Sequence, residues 1–197
     1  MFVNNKEKGI CEFVDPLILM YEKRITHHTQ VQRVLEMAME RNRPILVICE
    51  DIDEEGLAFL AMNTVQGRIR CCAVKSPFGN TRMDDMEDIA LLTGGTYISD
   101  SKGAGIKDIE FENLGSAKKV IVSKEEIVII GGEGDKQSIE DLLNELRMNL
   151  TQAKGEDDKF PIEKRIAKLS GGVAVIQVGG TTETEMKEKL DRFDDAV

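Results

Sequence analysis

Two rhythms of apolar and polar positions run along this chain, and the switches between them mark its elements. Short apolar runs predict strands at 10–14 ("ICEFV") and at 17–22 ("LILMYE"), separated by the turn signal Asp15-Pro16. Helical spacing takes over across 29–41 and stops before Asn42 and Pro44. "PILVICE", 44–50, is apolar throughout, the form of a strand covered on both faces. A helix over 54–66 follows, then a strand over 68–74, a loop "SPFGNTR", a helix over 83–93 stopped by Gly94-Gly95, and a strand "TYIS". After the loop "SKGAG" come two runs, 117–123 and 126–132, that flank Lys124 as a hairpin. A long helix is predicted over 136–151, then a polar break, then a helix over 161–169 with Pro161 in its first turn. A buried strand over 171–180, bracketed by glycine pairs, and a charged helix over 181–196 complete the pattern. Strand and helix alternate for much of the length, so the class is α/β.

One segment breaks the rule for a surface helix. In "DEEGLAFLAMNTVQG", 53–67, acids precede an apolar run and glycine closes it. At about 100° per residue, Leu57, Ala58, Phe59, Leu60, Ala61, Met62 and Val65 cover roughly 260° of the circumference. The helix at 29–41 is narrower: Val31, Val34, Leu35, Ala38 and Met39 span roughly 140°. Leu35 and Met39 lean toward the flank that carries Gln32. Either the second helix is sandwiched on two sides, or part of its apolar surface stays in water as a binding site.

Composition narrows the function classes. The 197 residues are 41% hydrophobic and 31% charged, with a formal charge of −10. That is the profile of a globular chain able to bury a core. Without a basic patch to neutralise phosphates, a nucleic-acid surface is not expected; "EKRITHH" and "EKRIAKL" are short runs of mixed charge. The longest apolar run is far short of a bilayer span, and the opening residues lack the form of a secretion leader. Cys11, Cys49, Cys71 and Cys72 have no C-x-x-C spacing and read as free thiols of a reducing compartment. His27 and His28 are adjacent, so a regular element would point them apart, which argues against zinc. Both ends of the chain lack start and stop signals, as expected of a piece of a longer protein.

Candidate chemistry is sparse. Glu50, Asp51, Asp53, Glu54 and Glu55 follow a predicted strand, where open α/β sheets bind ligands and carboxylates hold Mg²⁺. The same acids suit the start of a helix, by capping and by complementing its dipole. A metal- or phosphate-dependent α/β enzyme built on Glu50, Asp51 and Asp53 is therefore the alternative function. "GGEGDKQS", 131–138, lacks the GK[ST] ending of a phosphate loop and reads as a turn. No Ser-His-Asp set or nucleophile elbow can be assembled.

Four blocks carry a resemblance: "PLILMYEKRIT", "RPILVICEDIDEEGLAFLAMNT", "DIALLTGGTYIS" and "KRIAKLSGGVAVIQVGGTTETEMKEKLDRFDDA". In order, they resemble the GroEL-type (group I) chaperonins over essentially the whole chain. The last block is the most specific. The resemblance implies an apical, polypeptide-binding domain over residues 1–172, with a layered β-sheet core flanked by helices. It implies a partial intermediate domain, strand and helix, over 173–197, with a hinge at Gly171 and Gly172.

The family's apical domain binds non-native polypeptide, and the mobile loop of its GroES-type co-chaperonin lid, in a groove between two helices that match 29–41 and 54–66. Carried over by position, the groove residues are Phe2, Gln32, Leu35, Leu57, Ala61, Met62 and Asn63. Asp195 matches an aspartate that promotes ATP hydrolysis in the full-length parent, and Glu183 a position of inter-domain or inter-subunit salt bridges. No cofactor is implied for this fragment; ATP and Mg²⁺ belong to the parent, which forms homo-oligomeric rings. The implied compartment is a bacterial cytoplasm, or a mitochondrial matrix or plastid stroma. The chain departs from the family at Gln32, usually leucine, at Ala61, usually valine, and at Gln66, often arginine. Its "AVKSPFGNTR" loop is one residue short.

Overall fold

In a computed structural model, which describes residues 2–5, 7–77, 79, 81–99, 105–123 and 126–171, the densest apolar runs form the middle of one sheet. β2 (Leu17–Tyr21) and β3 (Ile45–Cys49) are buried at every position. They run parallel, Leu17 opposite Ile45 and Met20 opposite Ile48, and β3 pairs in the same sense with β4 (Cys71–Lys75). β6 (Gly115–Val122) joins β2 to β1 (Cys11–Val14), antiparallel to both. The strand order is β1-β6-β2-β3-β4, with β5 (Tyr97–Ile98) on β2 and β7 (Ile127–Gly132) on β6.

Period-two alternation divides the core. Leu17, Leu19, Ile45, Val47, Cys49 and Cys71 face one side, where they meet α1 (Thr29–Glu40) and α2 (Glu54–Val65). Ile18, Met20, Leu46, Ile48 and Cys72 face the other, against Met86 and Ala90 of α3 (Arg82–Thr93). Cys11 and Cys72 belong to this second cluster although their strands stand at opposite ends of the order, so the sheet curls back on itself. α4 (Lys136–Gln152) and α5 (Glu156–Ser170) pair as a hairpin on a small core of Leu143, Leu146 and Leu169 that reaches Leu92 of α3. Among the described residues, no helix is long and apolar enough to cross a membrane.

Several boundaries move from their predicted places for local reasons. The strand predicted at 68–74 begins at Cys71, because the N–H groups of Arg68 and Ile69 both turn back to the carbonyl of Asn63 to close α2. Gly67, at φ 68°, makes that reversal. The helix predicted over 161–169 begins at Glu156, so Pro161 lies inside it. Glu156, Asp157 and Asp158 sit in the first turn, where negative charge is favoured, and this recruits the stretch read as a polar break. The glycines of "GGEGD" serve close backbone contact with the end of α3. A Cβ at Gly132 or Gly134 would run into the carbonyls of Leu92 or Leu91 at the end of α3, and the Gly134 N–H donates to Leu92 O at 3.0 Å. The strand and helix predicted over 171–180 and 181–196 lie outside the described residues from 172 onward, as do most of the "SKGAG" loop and Lys124.

α5 is tied to α3 by charge. Arg165 donates to both oxygens of Asp88, at 2.9 and 2.8 Å, and reaches Asp84 at 3.5 Å; Lys168 meets Asp85 at 2.6 Å. The Asp88 side chain is almost fully buried, and its charge is compatible with that site only while Arg165 is present. Replacing Arg165 with Ala is expected to lower stability by about 3 kcal/mol in urea titrations, with Lys restoring only part of it. A loss within the range of a surface pair, under about 1 kcal/mol, would contradict this account.

Candidate functional site

The wide apolar face of α2 is explained by how little of it points inward. Beyond β3 an isolated bridge joins Ile25 to Ile52, and the Asp53 N–H donates to Ile25 O at 2.8 Å. The first turn of α2 presses on that bridge: a Cβ on Gly56 would meet Ile52 Cγ1 at 3.0 Å and Ile25 Cγ2 at 3.1 Å. The buried stripe of α2 is then only Gly56, Leu60 and Asn63, spaced at four and three residues. Leu57, Met62 and Val65 are left 40%, 57% and 87% exposed, and Ala58 is exposed beside them. Of the two arrangements the sequence leaves open, part of this helix faces water.

The residues expected in a groove separate into two groups. Leu57, Met62 and Gln32 are exposed, while Phe2 and Ala61 are half-buried. Gln32 holds Glu36 along α1 at 2.8 Å. Leu35 and Asn63 are turned inward, at 2% and 8% exposure, so the expectation that they line open surface is corrected. Leu35 is drawn into the first core with Val31, Val34 and Ala38, because α1 lays these four on the sheet and leaves Met39 exposed. Asn63 is held there by its own amide, which donates to Phe59 O at 2.8 Å, while its carbonyl ends the helix. Gly171 is exposed at the end of α5; Gly172, Glu183 and Asp195 lie outside the described residues.

Phe2 and Leu57 come together on an apolar cleft of about 360 Å³. Val3, Ala73, Val74 and Val122 add to its walls, and Cys11 and Cys72 also line it. Sequence reasoning did not assign these strand residues to a site, because only the curl of the sheet brings them to α2. Val65 was visible in the apolar arc but was not assigned either.

α1 and α2 are joined at their N-termini by a contact that spacing does not reveal. His28 Nδ1 lies 2.7 Å and His27 Nδ1 3.2 Å from the two oxygens of Glu55, and the His28 N–H donates to Glu55 at 3.3 Å. The His28 ring also packs on Phe59, centroids 5.3 Å apart. The expectation that adjacent histidines diverge fails because both lie in the bend before α1 and not in a regular element. At the other end of α1, Arg41 stacks 3.6 Å over the Phe111 ring.

The acids after β3 are engaged with cations. Asp51 meets Lys75 at 3.1 Å and Arg24 at 3.3 Å, Asp53 meets Arg24 at 3.4 Å, and Glu50 meets Arg82 at 3.6 Å. Asp53 occupies the N-cap position of α2 without a side-chain cap bond. Among the described residues, no three His, Cys, Asp or Glu side chains are grouped to hold a metal ion. Carboxylates already neutralised in this way do not fit the Mg²⁺ site of the alternative enzyme reading.

Hydrogen bonds from the His28 and His27 side chains, then from the His28 backbone, hold the Glu55 carboxyl down to about 2, against an ordinary 4.5. A depressed carboxyl stabilises the fold in full above the unfolded value and loses that contribution as pH falls through the folded one. Replacing Glu55 with Gln should therefore lower the melting temperature at about pH 5, with the gap to the parent closing as pH approaches about 2. A gap that stays constant across that window, followed by circular dichroism, would mean that the clasp does not act through this charge.

Comparison with known proteins accords with this architecture. The TCP-1/cpn60 chaperonin family matches residues 20–197. The chain is 43% identical over its full length to the maize mitochondrial chaperonin CPN60-2, and 41% to CPN60-1 of Cucurbita maxima. It is 42% identical to the mitochondrial chaperonin CPN60 of Arabidopsis thaliana. In each case it spans 34% of the relative's length. With a match across so much of its length and a mixed α/β sheet to carry it, the chain belongs to the TCP-1/cpn60 chaperonin family.

Proposed function

We propose that this chain is the polypeptide-binding part of an ATP-dependent group I chaperonin that assists protein folding. Capture occurs on the outer face of α2, through Leu57, Ala61 and Met62, with Phe2 on the adjoining cleft and Gln32 on α1. Leu35 and Asn63 support the site from beneath. The observation that carries this reading is the run of exposed apolar side chains Leu57, Met62 and Val65 on one otherwise well-anchored helix.

The energetics suit an unselective binder. Burying one such side chain against a client is worth roughly 1.5–3 kcal/mol, so three contacts give a gross gain of roughly 4–9 kcal/mol. Association costs of about 4–15 kcal/mol offset most of it, leaving a single segment weakly held. In a ring of identical subunits, several sites would engage one unfolded chain and avidity would raise the affinity. Met62, flexible and polarizable, adapts to varied partners. The mobile loop of a GroES-type lid would compete for the same surface.

In this reading residues 1–172 form the apical domain and 173–197 part of the intermediate domain, with Gly171 and Gly172 as the hinge. Asp195 would promote ATP hydrolysis and Glu183 bridge domains or subunits in the full-length parent, with ATP and Mg²⁺ held elsewhere in it. The names of the relatives place them in mitochondria. A mitochondrial matrix or plastid stroma is proposed for a eukaryotic source, and the cytoplasm for a bacterial one.

Replacing Leu57 and Met62 together with Ser tests the site. Capture of a chemically denatured reporter enzyme by the 197-residue chain, read as suppression of its aggregation, is expected to fall at least about tenfold, the equivalent of losing one such contact. The far-ultraviolet circular dichroism should be unchanged, since both side chains are exposed. Undiminished capture by the folded double variant would overturn the assignment.

A further inference from the structure

The methionines among the described residues fall into two groups. Met20 and Met86 are fully buried in the second core, and Met37 is half-buried against the first. Met39, Met62, Met83 and Met148 reach water. Met62 differs from the other three in where α2 holds it. That helix is fastened by Gly56, Leu60 and Asn63, with the Asn63 amide bonded back to Phe59 O at 2.8 Å. The residue just before this anchor is therefore turned outward: Met62 is 57% exposed and belongs to none of the core clusters. Val65, three residues on, shares its face of the helix. The thioether is thus open to a small solute, while the packing of the sheet does not depend on it.

We propose that Met62 is a modification site, oxidised by a small hydroperoxide to the sulfoxide, and that this reversibly turns off the apolar face of α2. The Met62 sulfur attacks the terminal oxygen of the hydroperoxide with a lone pair. An S–O bond forms as the O–O bond breaks, so sulfur gives up two electrons and the peroxide receives them. The departing alkoxide or hydroxide takes the proton carried by the transferred oxygen. In sum, one thioether and one hydroperoxide give one sulfoxide and one alcohol or water. The product keeps the length of the side chain but ends in a strongly polar S=O group. Covering that group with an apolar client leaves its oxygen without the water it would otherwise bind, so the contact turns from favourable to unfavourable. The frame beneath is unaffected, because neither core contains Met62. Met20 and Met86 are shielded from the same reagent by burial.

The effect on client capture rests on the function proposed above, whereas the oxidation itself is read by mass and does not. The test is to treat the 197-residue chain with hydrogen peroxide and then with dithiothreitol, which returns disulfides and sulfenic acids to thiols and leaves sulfoxides in place. Peptide mapping is expected to show Met62 heavier by one oxygen, with Met20 and Met86 unchanged. The amount of oxidised chain needed to suppress aggregation of the denatured reporter should rise about tenfold, the equivalent of losing one apolar contact. Treatment with the two methionine sulfoxide reductases, one for each sulfoxide epimer, should reverse that rise. Met62→Leu, which keeps the apolar bulk without the sulfur, should capture as the reduced parent does, both before and after peroxide. Met62 left unoxidised, an oxidised parent that captures undiminished, or an equal loss in Met62→Leu would overturn the proposal. Failure of the function proposed above shows differently, as no capture by the reduced chain before peroxide is added, and it removes the switch as well.

Discussion

Burial of β2 and β3 on both faces is the constraint from which the other features follow. Because Leu17 to Tyr21 and Ile45 to Cys49 leave no position in water, each face of the sheet must be covered, and strict alternation settles which residues meet which layer. α1 gives Val31, Val34, Leu35 and Ala38 to this task. α2 is anchored differently, by Gly56 seated on the Ile25–Ile52 bridge, by Leu60, and by the tucked amide of Asn63. An anchor that narrow leaves the rest of an apolar helix outside.

Around that helix the polar groups act as fasteners. Arg24, Lys75 and Arg82 neutralise the carboxylates after β3, and Glu55 joins both histidines at the entry to α1. The outcome is a rigid frame presenting apolar side chains, which is the property a binder of unfolded segments requires. On the function proposed above, specificity would be low for the same reason: van der Waals and hydrophobic contact with Leu57, Met62 and Val65 reads bulk and oiliness, not sequence.

Much of the architecture was legible in the chain. Turn residues and apolar runs located β2, β3, α1, α2 and α3 to within a few positions, while the excess width of the α2 arc left burial on two sides and exposure both open and only the resemblance implied exposure. What escaped depended on long-range or end effects. Pairing of His27 and His28 with Glu55 has no signal in spacing, because a bend and not a helix aims the two rings. Leu35 read as leaning outward because an idealised wheel does not show how flat α1 lies on the sheet. Asn63 was placed in the groove by resemblance alone, and its inward turn follows from a hydrogen bond to its own helix that spacing does not show. The early start of α5 was hidden by three acids that read as a polar break and by Pro161, which suits a helix's first turn and so placed the start too late.

The cluster that fastens α5 to α3 has a mechanical consequence. Arg165 and Lys168 lie in the last turns before Gly171, so α5 is riveted at the end from which the chain departs. A tug on the backbone past Gly171 would be borne in shear by Asp84, Asp85 and Asp88 together, and would load α3 and the sheet behind it before α5 could peel. Torque applied there therefore turns the frame as a unit, with the apolar side chains of α2 carried along as a fixed attachment.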